Sequence, residues 1–256
     1  MQERKANTNN VRFEQGPKWV RVLLGGQFVA DSKRVFNLST GGTPRYCFPM
    51  EDVRMELLEP TGISEDTQTG RVSYFTVKAG NSVAEKGAWT WTQPPPAAPE
   101  LKGCIGFDWG KMDAWFEEEE EVYGHAHDPY KRIDTLLSPR HIEVFVLGEK
   151  VADTRNAVIL YEGVSRPRYY LPRTDVRQDL LVPSDRTTVC AYKGRANYFS
   201  IKVGDRFAEN IIWYYRYPAD EVLKIAGRLA FYSENVDAFH IDGQKEEWPI
   251  GIGIRP

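Results

Sequence analysis

Two neighbouring stretches hold most of the side chains that could do chemistry. Arg168-Tyr169-Tyr170-Leu171-Pro172-Arg173-Thr174-Asp175 is followed closely by Cys190-Ala191-Tyr192-Lys193-Gly194-Arg195-Ala196-Asn197-Tyr198. A partly buried lysine shifts its pKa readily, so Lys193 is a candidate amine nucleophile or anion anchor; as a plain turn residue marked by Gly194 it would simply be solvated. Arg168 could clamp a ligand carboxylate through two parallel N–H bonds, or bridge to Asp175 within the chain. Asp175 is a candidate general base or a charge at a helix start. Tyr198 offers a hydroxyl for proton contacts. Tyr169, Tyr170, Tyr192, Arg195, Trp213 and Tyr215 complete a candidate binding wall; alternation puts Trp213 and Tyr215 on one strand face, where they would serve equally as core. Cys190 has no histidine near it in sequence and reads as a small buried hydrophobe.

Composition narrows the partners. Lys+Arg 33 against Asp+Glu 36 gives a net charge of −3, so no basic field points to nucleic acid, and a small-molecule ligand or a protein is the expected partner. The cysteines Cys47, Cys104 and Cys190 are scattered, which fits neither a disulfide framework nor a zinc ribbon. His125, His127 and Asp128 lie in a Gly- and Pro-flanked stretch with no further ligand at a recognisable spacing, and Glu117–Glu121 reads as a solvated charge run, so neither metal nor cofactor is expected. The start of the chain is polar and no apolar run is long enough to span a bilayer; the expectation is a cytoplasmic protein without membrane contact.

The elements that must position these residues occur twice. Ala30-Asp31 recurs as Ala152-Asp153 at an offset of 122; Pro44-Arg45-Tyr46, Pro49 and Asp52-Val53-Arg54 recur as Pro167-Arg168-Tyr169, Pro172 and Asp175-Val176-Arg177 at 123; Tyr74-Phe75, Trp89, Gly103 and Phe107 recur as Tyr198-Phe199, Trp213, Gly227 and Phe231 at 124. The chain is a tandem duplication. The expected organisation is an N-terminal arm (1–18), a first repeat (19–122), a linker (123–140), a second repeat (141–248) and a tail (249–256). Each copy reads as mainly β: a hairpin around Gly25-Gly26 and its counterpart around Gly148-Glu149, then β-rich strands at Ser73–Lys78 and Asn197–Val203 and aromatic strands at Ala88–Thr92 and Ile211–Tyr217. Short helices are predicted after Pro49 and Pro172, where Val53 and Leu57, or Val176 and Leu180, lie four apart. A further short helix is predicted over Ala219–Ala226, where the first copy has the stiff stretch Pro94–Pro99.

Ala152-Asp153-Thr154, Arg168-Tyr169-Tyr170, Pro172, Asp175-Val176, the Cys190–Tyr198 motif, Trp213-Tyr214-Tyr215 and Ala230-Phe231-Tyr232 together make the second copy resemble the family catalogued as domain of unknown function 427. The first copy resembles a diverged member: at an offset of 124 Asp66 stands for Cys190 and Thr69 for Lys193. The resemblance implies two tandem repeats of the β-tent fold of Mss4-like proteins, without the zinc-binding thiol pairs of many β-tent relatives. It implies further, through the family's name, a grouping with nucleotidyltransferases; the sequence contains no glycine-rich phosphate loop and no carboxylate pair at a metal-binding spacing.

The reading expects a cofactor-independent isomerase, cyclase or lyase acting on a small organic anion in the second repeat. The alternatives are a non-catalytic binding or interaction module and nucleotidyl transfer. In this reading Lys193→Ala and Arg168→Ala each abolish ligand binding or turnover with little loss of stability, and Arg45→Ala affects activity less than Arg168→Ala. Trp213→Ala, a core truncation, lowers stability by about 3 to 5 kcal/mol, which chemical denaturation checks.

Overall fold

The computed structural model describes residues 11–163 and 165–247. Residues 1–10 of the expected arm and the whole expected tail lie outside the described residues. The chain divides into two units between Asp128 and Pro129. The first contains β1 (Arg12–Gln15), β2 (Val20–Leu24), β3 (Gln27–Ser32), β4 (Phe36–Ser39), β5 (Arg45–Pro49), β6 (Leu58–Thr67), β7 (Gly70–Ala79), β8 (Ser82–Gln93), β9 (Cys104–Phe107), β10 (Ala114–Glu117) and β11 (Glu120–Val122). The second contains β12 (Ile133–Ser138), β13 (Ile142–Val146), β14 (Glu149–Thr154), β15 (Ala157–Glu162), β16 (Arg168–Leu171), β17 (Leu181–Cys190), β18 (Gly194–Val203), β19 (Arg206–Tyr215), β20 (Leu229–Phe231), β21 (Ala238–Ile241) and β22 (Gln244–Lys245).

Both units have the same antiparallel topology. A seven-stranded sheet runs β1-β4-β5-β9-β8-β7-β6 in one and β12-β15-β16-β20-β19-β18-β17 in the other, and a four-stranded sheet runs β11-β10-β2-β3 or β22-β21-β13-β14. Strict alternation on the hairpin strand sends Val20, Val22 and Leu24 into a core with Tyr46, Phe48 and Trp115, between the two sheets of the first unit. Ile142, Val144 and Val146 do the same with Tyr169, Leu171 and Phe239. The other face of each large sheet carries a second cluster, built on Cys47, Val72 and Trp91 in the first unit and on Tyr170, Trp213 and Tyr215 in the second. Period-2 geometry makes this unavoidable, because neighbours along one strand must face opposite ways.

Several local expectations are corrected. β1 lies in the expected arm and β12 in the expected linker, yet both are edge strands paired with equivalent partners, β4 and β15. Phe13 stacks on Phe36 at 4.6 Å, a cross-strand contact within the sheet that no local pattern announces. The second hairpin turns at Leu147-Gly148, with φ of 53° and 78°, rather than at Gly148-Glu149. Each helix expected after Pro49 and Pro172 is instead a pair of 3-10 turns, Met50–Asp52 with Met55–Leu57 and Arg173–Asp175 with Gln178–Leu180. Between the turns, Val53 and Val176 are extended and bridge to Ala30 and Ala152, so cross-strand pairing overrides the four-residue spacing. Ala219–Ala226 is likewise 3-10, over Asp220–Ile225, and the first unit has its own turn at Pro99–Gly103 after the prolines. Finally, Thr67 pairs with Gly70 as Cys190 pairs with Gly194, so the structural counterpart of Cys190 is Thr67 and not Asp66; the extra residue lies inside the turn.

The first hairpin needs glycine at one position for space as well as conformation. Gly25 has φ +55°, and a Cβ there would stand 1.9 Å from the Ala79 carbonyl oxygen, whereas Gly26, at φ +73°, has nothing within 4 Å. Gly25→Ala is therefore expected to cost clearly more than Gly26→Ala, whose penalty is the left-handed strain alone, about 1 to 2 kcal/mol. Urea unfolding of the two variants measures the difference.

Candidate functional site

The outer face of the second unit's large sheet gathers Arg168, Tyr170, Tyr198, Trp213 and Tyr215, and ties down its charges. Arg168 lies at the start of β16, with its guanidinium carbon 5.4 Å from the Trp213 ring centre. Its Nη1 and Nη2 donate to Glu234 Oε2 and Oε1 at 2.7 and 3.0 Å, a two-pronged pair that Arg166 joins at 3.1 Å. Burial alone would raise the Glu234 carboxyl, but the bonds and charge of Arg168 hold it at about 2. Asp175, the partner read from sequence, accepts instead from the Thr154 and Thr174 hydroxyls at 2.6 and 2.9 Å and braces a turn.

Lys193 is 9% exposed, and its Nζ donates to Glu162 Oε2 at 2.5 Å while Lys131 holds the other oxygen. Burial pushes the Glu162 carboxyl up, and the charge of Lys193 with the bonds of both lysines more than reverses it. Tyr198 exchanges a 2.8 Å hydrogen bond with Thr188 and lies under the Arg186 guanidinium. Tyr170 accepts from Trp213 Nε1 at 3.2 Å. Tyr170 and Tyr215 are buried, and burial raises both phenols. Tyr169 points the other way, into the inter-sheet core, where burial lifts its phenol to about 12. Tyr192 is half-buried against Lys131, and Arg195 is exposed. The structure does not bring Asp175, Tyr169 or Arg195 onto the face that carries Trp213. Lys193 balances the largely buried Glu162 carboxylate, so removing it strands charge and a stability loss of about 1 to 3 kcal/mol replaces the small effect expected from the sequence. Glu234 is about a third exposed, so water screens it and Arg168→Ala costs less, about 1 kcal/mol.

The corresponding face of the first unit is open. A cleft of about 840 Å³ is lined by Arg45, Tyr46, Glu65, Tyr74, Lys86, Trp89 and Trp109, with further polar groups from its rim loops. Arg45 starts β5 as Arg168 starts β16, and its guanidinium carbon stands 5.7 Å from the Trp89 ring centre, the same stacking as Arg168 on Trp213. The Trp89 indole rests on Gly106, where a Cβ would come within 2.6 Å of it. Lys86 donates to Glu65 Oε1 at 2.9 Å, and the Tyr74 hydroxyl donates to Glu65 Oε2 at 3.3 Å. The Lys86 bond lowers the Glu65 carboxyl, while burial and then Glu65 raise the Tyr74 phenol. Lys111 lies 3.8 Å from Asp108. Each acid on the cleft thus has a lysine, and among the described residues Arg45 makes no ion pair. The Tyr192-Lys193-Gly194 motif points to the second copy and away from this cleft, whereas the recurrence of Arg45 and Trp89 as Arg168 and Trp213 is the signal in the sequence that points to it.

Two other polar clusters are structural in character. Glu117, inside the expected solvated run, is buried and accepts from Tyr46 and Lys18, with His127 Nδ1 at 3.2 Å. His141, Glu143 and Asp153 bring ligand atoms within 4.8 Å of one another, a metal-compatible spacing. The Lys150 ammonium already bonds Asp153 and Glu143 at 2.6 and 3.2 Å and supplies the cation there.

Two copies of one antiparallel two-sheet unit, each with an arginine stacked on a tryptophan of the outer face, define a tandem β-repeat protein. A family model described as Domain of unknown function (DUF427) matches residues 12–118 and again 134–242, and the chain belongs to that family. No curated protein matches the chain. Among the described residues no helix is long and apolar enough to cross a membrane.

Burial raises the Glu117 carboxyl, but bonds from His127, Lys18 and Tyr46 outweigh it and hold the group at about 2. A folded pKa below the unfolded one gives stability that is present above the unfolded value, about 4.3, and is lost as pH falls toward about 2. Glu117→Gln should therefore show a shallower loss of stability over that acid window than the wild type, read from urea midpoints against pH.

Proposed function

We propose that the protein binds a small organic anion in the cleft of its first repeat. The observation that carries this reading is Arg45: an exposed guanidinium lying over an indole, on the lining of a cleft, and without an ion pair among the described residues, while its counterpart Arg168 is paired with Glu234. A guanidinium fork recognises carboxylate or phosphate oxygens in two-pronged fashion. Trp89, Trp109 and Tyr74 supply flat apolar walls for the rest of the ligand, the usual balance of a small-molecule site.

A second reading makes the bound anion a substrate. It is favoured by the Tyr74 hydroxyl, which lies on the cleft in contact with the Glu65 carboxylate that Lys86 holds charged. A phenol bonded to a carboxylate can pass a proton to and from a ligand, the step common to isomerase, cyclase and lyase chemistry without a cofactor. Turnover that disappears in Tyr74→Phe with binding intact would support it.

Native mass spectrometry after incubation with a metabolite extract tests the binding reading. The wild type should retain an organic anion and Arg45→Ala should lose it while melting close to the wild type. Arg168→Ala should retain it, with a lower melting temperature. Retention by Arg45→Ala together with loss by a folded Arg168→Ala moves the site to the second repeat and rejects the reading.

A further inference from the structure

The second repeat shows what the first repeat's arginine is shaped to hold. The two outer faces correspond strand by strand: Tyr198 pairs with Trp213 as Tyr74 pairs with Trp89, and Tyr170 pairs with Ala230 as Cys47 pairs with Gly106. After β20 and after β9 the chain makes the same turn, closed by Asn235 N to Tyr232 O at 2.8 Å and by Lys111 N to Asp108 O at 3.2 Å. This register sets Glu234 of the second repeat on Gly110 of the first. Where one copy sends a carboxylate from this turn onto its arginine, the other has no side chain at all.

Resting on the reading of the cleft as an anion site, we propose that its ligand is an organic acid whose carboxylate is held by Arg45 in the place that the Glu234 carboxylate takes on Arg168. The second repeat is then the same site filled by its own chain. Three features favour a carboxylate over a phosphate ester. The internal occupant is a carboxylate held through both oxygens at 2.7 and 3.0 Å. Lys86 and Lys111 are matched to Glu65 and Asp108, which leaves Arg45, among the described lysines and arginines on the cleft, as the unmatched cation for the ligand. A phosphate dianion calls for more positive charge than one guanidinium, and Glu65 and Asp108 on the same cleft would repel it more strongly than a monoanion.

Gly110→Glu converts the open copy into the filled one. A Cβ at Gly110 meets only Asp108 Oδ1, at 3.8 Å, so the site has room for it. Benzoate, benzamide and phenyl phosphate share an aromatic ring suited to the tryptophan walls and differ in the head group. Titrated into the full chain and followed by tryptophan fluorescence, benzoate should bind, benzamide should not, and phenyl phosphate should bind more weakly than benzoate. Arg45→Ala and Gly110→Glu should each weaken benzoate by about tenfold or more, whereas Gly110→Gln, which adds bulk without charge, should weaken it less. A crystal structure of Gly110→Glu should show the new carboxylate on the Arg45 guanidinium. Tighter binding of phenyl phosphate through Arg45 rejects the carboxylate and leaves the anion cleft standing. A new carboxylate turned away from Arg45 rejects the correspondence with Glu234. No response to either anion overturns both the organic-acid ligand and the cleft reading beneath it.

Discussion

A central strand sends alternate side chains to opposite faces of its sheet, and in this fold the four-stranded sheet covers only one face of each large sheet. How the other face is closed decides what each repeat can do. Both repeats begin alike, with a 3-10 turn laid over part of the face: Leu101 of Pro99–Gly103 and Val222 and Ile225 of Asp220–Ile225 are buried there. Both then place an arginine against a tryptophan beyond the cover. They part at the turn after the last face strand, where one chain has glutamate and the other glycine.

In the second repeat the carboxylate of Glu234 allows Arg168 to sit largely out of water. A buried guanidinium without a partner is expensive, and a bidentate carboxylate with Arg166 alongside is the arrangement that makes it tolerable. Lys193, Glu162 and Lys131 solve the same problem at the neighbouring edge. Lys193 belongs to the motif that distinguishes the second copy, and its ion pair gives it a bracing role whatever else it does. In the first repeat Thr69 stands where Lys193 stands, and its hydroxyl accepts from Trp91 Nε1 at 3.1 Å; a neutral hydrogen bond replaces an ion pair. On this face, with a hydroxyl in place of the lysine and no carboxylate on Arg45 among the described residues, that copy keeps a cleft.

The correspondence of the copies also separates conserved architecture from local choice. The two hairpins turn at equivalent positions, although one uses two glycines and the other a leucine and a glycine. The single-residue difference inside the turn that ends β6 and β17 leaves the strands on either side in register, since an insertion within a strand would reverse every side chain beyond it.

Much of the fold was legible because duplication doubles the signal: Ala30-Asp31, Arg45, Trp89 and Phe107 each reappear at a near-constant offset, and alternation in Val20–Leu24 and Ile142–Val146 names the inter-sheet core. The edge strands β1 and β12 were not legible, because their apolar contacts are made only when a distant strand arrives. The same holds for the short helices, which 3-10 turns replace once Val53 and Val176 bridge to another strand. Residue types and spacing brought Arg168, Tyr170, Tyr198, Trp213 and Tyr215 forward together with Lys193, Asp175, Tyr169, Tyr192 and Arg195, and period-2 geometry explains why the first five share a face while Tyr169 and Arg195 do not. What only the tertiary structure decided was which charges are paired. Glu234 lies 66 residues after Arg168, and Glu162 lies 31 before Lys193, so no local pattern links them. Sheet pairing brings these carboxylates to their cations, and among the described residues Arg45 has none; coulombic partners are set by distance in space, to which the linear chain gives no direct access.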